Sequence, residues 1–138
     1  MRTPCYVAFA TLLVCGCEAP TPQLSVRMDS TAYNRDSDGL AHASFTVTNV
    51  GSAPAVTTGC PPPAFATDTG SPGRWSAYTG DQACENVLVT VQVLQPGQSV
   101  RGSFSWDWPA TYRIRVYYSR DQADPGALQS AGGAFAIR

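Results

Sequence analysis

Lysine is absent from this 138-residue chain, histidine occurs once, at His42, and charged residues make up only 14% of it. An average soluble domain carries about 25% charged residues. Without lysine no Ser-x-x-Lys site can form, and neither Gly-x-Ser-x-Gly nor His-Glu-x-x-His occurs. One histidine with no Cys-x-x-Cys nearby does not make a metal-ligand set, so no metal and no cofactor is expected. The acids are scattered and fall mostly in turns, which is not the pattern of a paired-carboxylate glycosidase. The expectation is a protein that is not an enzyme. A formal net charge of −1 does not point to nucleic acid as a partner. No segment sustains a 3.6-residue apolar period, so almost no helix is expected. No apolar run reaches the ~20 residues that cross a bilayer as a helix.

The N-terminus carries the strongest positive signal. Arg2 precedes the apolar run Tyr6–Val14, too short to span a membrane and of the right length for a signal peptide. Val14-Cys15-Gly16-Cys17 follows and resembles a bacterial lipobox. In that family the last cysteine is acylated on sulfur and becomes the new N-terminus after cleavage. The resemblance implies residues 1–16 as signal peptide, lipidation at Cys17, and residues 17–23 as a tether. Two acyl chains suffice for stable anchoring. The expected place is the cell envelope. Glu18 at the second mature position favours the outer membrane where the organism has one. An ordinary secretory signal with incidental cysteines is the alternative.

Cys5 and Cys15 would leave with the signal peptide. Cys60 and Cys84 then remain in an oxidising compartment, and their pairing is the expected disulfide. Closing a loop of 23 residues, it would stabilise the fold by about 3 kcal/mol.

Residues 24–138 read as one domain. Apolar residues alternate at Leu24, Val26 and Met28, at Ala41, Ala43, Phe45 and Val47, and at Val87, Val89, Val91 and Val93. They alternate again at Val100, Gly102, Phe104 and Trp106, and at Tyr112, Ile114, Val116 and Tyr118, with Phe135 and Ile137 closing the chain. Period-two patterns of this kind mark half-buried strands. Weaker strands are expected within 55–58, 64–67 and 75–78. Twelve glycines and eleven prolines supply the turns. Seven to nine short strands separated by turns predict an all-β fold, an immunoglobulin-like antiparallel β-sandwich.

The segments Asn49-Val50-Gly51, Arg74-Trp75-Ser76, Leu94-Gln95-Pro96-Gly97-Gln98-Ser99, Trp106-Asp107 and Ala110-Thr111-Tyr112 occur in that order. Over residues 40–118 this order resembles the Bacillus-type intracellular proteinase inhibitor domain, an immunoglobulin-like sandwich. The resemblance implies the fold and, as a second reading, inhibition of an envelope proteinase. Ala110 departs from the family's glycine, and that inhibitor has neither an export signal nor the Cys60–Cys84 pair.

Between the two cysteines, Phe65, Trp75 and Tyr78 are candidates for a binding loop, because loops on rigid scaffolds concentrate function and aromatics dominate hot spots. Core filling is the competing role for Phe65 and Trp75. Asn34–Gly39 resembles half of a calcium loop, but position twelve is Phe45, so a solvated hairpin turn explains it better. Tyr112 could form a tyrosine corner. Arg101, Arg113, Arg115 and Tyr117 could form a basic-aromatic patch, and Trp108 is expected at the surface. The first functional reading is a non-catalytic, lipid-anchored envelope domain that contacts a protein, protease or glycan. A structural accessory of an envelope assembly is a third.

Overall fold

The computed structural model describes residues 19–60, 62–79, 88–124 and 126–138. Eleven strands follow in order: β1 (Leu24–Met28), β2 (Ala32–Tyr33), β3 (Ala41–Asn49), β4 (Ala55–Gly59), β5 (Phe65–Ser71), β6 (Arg74–Thr79), β7 (Thr90–Leu94), β8 (Ser99–Trp106), β9 (Thr111–Tyr118), β10 (Leu128–Ala131) and β11 (Phe135–Ile137). No helix occurs among the described residues.

One sheet has the order β1-β3-β8. The other runs β2-β11-β9-β5-β6, with β10 also pairing β9. β4 and β7 form a two-stranded pair, linked to the end of β9 by a bridge from Val56 to Ser119. Every strand pair is antiparallel except β11 with β2. The two larger sheets stack as an immunoglobulin-like β-sandwich. The strand count exceeds the expected seven to nine because the terminal segments break: β1 and β2 lie in different sheets, and β10 and β11 share one edge of β9.

The predicted alternation defines the inner faces. Leu24, Val26, Ala41, Ala43, Phe45 and Val47 are buried on one sheet. Phe65, Tyr112, Ile114, Val116, Tyr118, Phe135 and Ile137 are buried on the other. Aromatic edges join the layers: Phe45 meets Phe65 at 5.1 Å between ring centroids, and Phe104 meets Phe135 at 5.8 Å. Gly102 breaks the apolar series of β8 for a steric reason. It pairs with Phe45, and a Cβ there would lie 2.3 Å from the ring's Cζ.

β7 has the opposite parity from the one expected. Val89, Val91 and Val93 are exposed, while Leu94 is buried, and Val87 lies outside the described residues. The register with β4 decides this. Leu94 pairs with Ala55 and Gln92 with Thr57, and both partners are fully buried. A strand's inward set follows its partner's, and a shift of one residue exchanges the faces. Valine outnumbers the alternatives in this strand, so composition alone points the wrong way.

Tyr112 forms the anticipated corner. Its hydroxyl donates to the Trp108 carbonyl at 2.9 Å and accepts from the Trp106 indole N–H at 3.1 Å. The bonds fix the crossing from β8 in one sheet to β9 in the other. Trp106 packs on Phe104 and Tyr112, whereas Trp108 is exposed. Burial raises the Tyr112 phenol to about 12, against a smaller lowering by the Trp106 hydrogen bond.

Two outcomes are expected. Gly102→Ala should destabilise the domain by about 1–3 kcal/mol through overpacking against Phe45, measured by urea unfolding. Tyr112→Phe should cost about 1–3 kcal/mol because it strands the Trp106 donor and the Trp108 acceptor. The phenol pKa is higher folded than unfolded, so its contribution is intact below about pH 10 and is lost as pH rises toward about 12. Stability measured across that alkaline window should fall less steeply in the phenylalanine variant.

Candidate functional site

The most constrained polar cluster lies on the outer face of β5, β6, β9 and β10. On β5, Phe65 and Thr67 face the core, so Ala66 and Asp68 face out. Asp68 stands opposite Arg113 on β9, and Ala66 opposite Arg115. Asp68 is nonetheless buried, with 4% of its side chain exposed, because the two arginines close over it. Arg113 Nε donates to Asp68 Oδ2 at 2.8 Å. Arg115 Nε donates to both Asp68 oxygens at 2.8 Å. A buried carboxylate demands partners of this quality, since its desolvation is otherwise too costly.

Aromatic side chains flank both cations. The Arg113 guanidinium lies over the Trp75 ring of β6 at 5.0 Å. Arg115 lies 5.7 Å from the Tyr117 ring, and its Nη1 donates to the Tyr117 hydroxyl at 3.0 Å and to Gln129 Oε1 of β10 at 3.3 Å. Partial burial works against the Arg115 charge, but the Asp68 hydrogen bonds and negative charge outweigh it and raise the guanidinium pKa. Two fixed cations against one carboxylate leave this group of residues with a surplus positive charge.

The three aromatic candidates do not converge. Phe65 sits in the core between Phe45 and Phe104. Trp75 lies on the outer face under Arg113. Tyr78 packs on Trp106 and Tyr112 at 5.5 and 5.4 Å, where a register shift in the β5–β6 pairing leaves it without a partner residue. Residues 65–79 are a β-hairpin turning at Pro72-Gly73, not a protruding loop. The sequence between the cysteines contains enough β-compatible residues to extend β9's sheet by two strands, and the open-loop expectation is corrected accordingly. Cys84 and residues 80–83 lie outside the described residues, as does Cys17.

The expected basic-aromatic patch is split. Arg113, Arg115 and Tyr117 share one face, but Arg101 belongs to β8 on the other sheet. There it pairs with Asp29 and lines a shallow groove with Ser25, Arg27, Thr46, Thr48 and Val50.

A serine–histidine–aspartate chain, not foreseen from the sequence, occupies the outer face of β3 and β8. His42 and Ser105 are cross-strand partners. His42 Nδ1 lies 2.8 Å from Ser105 Oγ, and Nε2 lies 2.8 Å from Asp36 Oδ2. Asp36 is held by the backbone N–H groups of Asp38 and Leu40 at 2.8 and 3.1 Å, within a turn that places Gly39 at φ 79°. The Leu40 N–H, then His42, lower the Asp36 pKa. The ionised carboxylate can only accept, so Nε2 donates to it; in the neutral imidazole Nδ1 then accepts from Ser105.

The roles of the two ring nitrogens are reversed relative to hydrolytic triads, in which serine meets Nε2. The His42 side chain is 63% exposed on an open sheet face, which offers no water exclusion or substrate enclosure. The three side chains tie the turn after β2 to β8 as a clamp. Among the described residues no group of three or more His, Cys, Asp or Glu is placed to hold a metal ion.

No known family profile matches the chain, and no curated protein matches it. Among solved structures, the CARDB domain of a Pyrococcus furiosus protein in complex with di-metal ions is similar at 14% identity. That match covers 85% of this chain and 89% of that one, with a TM-score of 0.44. A protein assigned as ApaA from Bordetella pertussis gives 17% identity, 86% and 91% coverage, and a TM-score of 0.44. The β-glucosidase EmGH1 from Erythrobacter marinus gives 9% identity and a TM-score of 0.43, with 86% of this chain spanning 16% of that enzyme. At these values the likenesses carry no argument about activity, and the resemblance to the proteinase inhibitor gains no support from them.

Asp68→Asn should destabilise the domain by about 3 kcal/mol, because it leaves two half-buried guanidinium groups without their counter-charge. Chemical denaturation of the variant and wild type measures this directly. Ser105 should form no adduct with a fluorophosphonate probe by intact mass. An adduct lost in His42→Ala would reassign the clamp as a nucleophile. The Asp36 contribution is present above the ordinary carboxylate range and is lost as pH falls through its lowered value.

Proposed function

We propose that this chain is a lipid-anchored, non-catalytic domain of the cell envelope that works by binding a partner protein. The observation that carries the reading is the outer face of β6, β5, β9 and β10. There Trp75, Arg113, Arg115 and Tyr117 are locked in place around buried Asp68. Tryptophan, tyrosine and arginine are the residue types that dominate contact energies. Their immobilisation before contact lowers the entropic cost of association.

Export and anchoring are supported by the Val14–Cys17 motif behind a short apolar run. An oxidising compartment would let Cys60 form a disulfide. Cys84 is its proposed partner, since the other cysteines precede the mature domain or begin it. The six residues 18–23 between Cys17 and β1 keep the domain within roughly 20 Å of the lipid surface, at most ~3.5 Å per residue.

Two experiments test this. Cys17→Ser should shift the protein from the membrane fraction to the soluble fraction or leave an uncleaved precursor. Normal processing and retention would refute the anchor. Affinity capture from detergent-solubilised envelopes should recover a specific partner with wild type and lose it with Trp75→Ala or Tyr117→Ala. Undiminished capture of the same partner by both variants would remove this face as the contact surface.

A further inference from the structure

We propose that Arg113 is a carboxylate-binding site and that it receives an acidic side chain of a partner protein; this rests on the contact face described above. Arg113 and Arg115 have different tasks. Arg115 is spent within the fold: Nε holds both oxygens of Asp68, and Nη1 holds Tyr117 and Gln129. Arg113 uses only Nε, on Asp68 Oδ2. Its Nη1 and Nη2 groups have no hydrogen-bond partner among the described residues, and 28% of the side chain is exposed.

That guanidinium is held from two sides. Asp68 fixes one end and the Trp75 ring supports the plane at 5.0 Å. A planar fork with two parallel N–H donors, held flat, matches a carboxylate in the bidentate mode. The charge balance fits the same ligand, because Asp68 neutralises one of the two cations and leaves one. Partial exclusion of water strengthens the pair relative to an open surface arginine. A protein carboxylate suits the site better than an acidic sugar, since Arg113 covers a ring face of Trp75 that a sugar would stack on.

The test uses the mature protein purified from the expressing cell in neutral detergent, with hexaglutamate as probe and hexaglutamine as its uncharged control. Wild type should bind hexaglutamate and not hexaglutamine, read by the change in tryptophan fluorescence. Arg113→Gln should weaken binding at least about tenfold, while Arg27→Gln, which removes the same charge from the opposite face, should leave it unchanged. Arg113→Lys should also lose most of the affinity, since it keeps the charge and loses the fork. Asp68 keeps both Arg115 bonds in these variants, so an unchanged unfolding midpoint certifies the fold. Absent hexaglutamate binding, equal loss in Arg27→Gln, full binding by Arg113→Lys, or tighter binding of oligogalacturonate than of hexaglutamate would overturn the inference. Partner capture that survives Arg113→Gln but fails in Trp75→Ala would also overturn it, leaving the contact face itself intact.

Discussion

Asn49 holds the sandwich in register. It is fully buried, and its side chain makes only backbone hydrogen bonds. Nδ2 donates to the carbonyls of Ala53 and Leu94 at 2.8 Å each, and Oδ1 accepts the Gly51 N–H at 3.0 Å. Its own N–H and C=O bond to Gln98 and Gly97. One residue thus joins the end of β3 to the approach to β4 and to the turn between β7 and β8. Gly51 completes the knot, since a Cβ there would fall 2.4 Å from the Gln23 nitrogen and the Thr21 oxygen. Each bond replaces water for a group that has none nearby, so the arrangement tolerates no partial version.

That junction explains why β7 presents its valines to solvent. With Leu94 held by its carbonyl to Asn49 and paired with Ala55, the strand's parity is set at one end and propagates along it. Nothing within β7 itself announces this. Alternation in the sequence told which residues share a face, and for β1, β3, β8 and β9 the core-forming face was the more apolar one. In β7 the long-range partner overrode the local pattern, and Gln92 turned toward the interior with its Oε1 unpartnered among the described residues.

The polar clusters were legible in fragments. Tyr112 could be placed at a corner because its position at the start of a late strand has a known structural use. Arg113, Arg115 and Tyr117 could be placed outward by period alone. Asp68 could not be singled out: in Ala-Thr-Asp-Thr-Gly it reads as a turn residue, and only the β5–β9 register sets it between two arginines. His42 and Ser105 are 63 positions apart, so their meeting depends on the β3–β8 pairing. Chemistry that arises across strands is invisible until the strands are aligned. The outcome of that alignment also removes the expected open loop, since 65–79 is absorbed into the sheet.

The closing strand has a consequence for the order of events during synthesis. β11 contributes Phe135 and Ile137 to the core, extends the edge of β9 and is the parallel partner of β2. The Arg138 backbone also bonds to Tyr33 and Arg35. The first and last strands of one sheet are therefore neighbours, and among the described strands β2 has no partner until residues 135–137 are available. The β2–β11–β9 edge of the sheet is therefore a late, non-local assembly, since β2 must wait for a strand far along the chain.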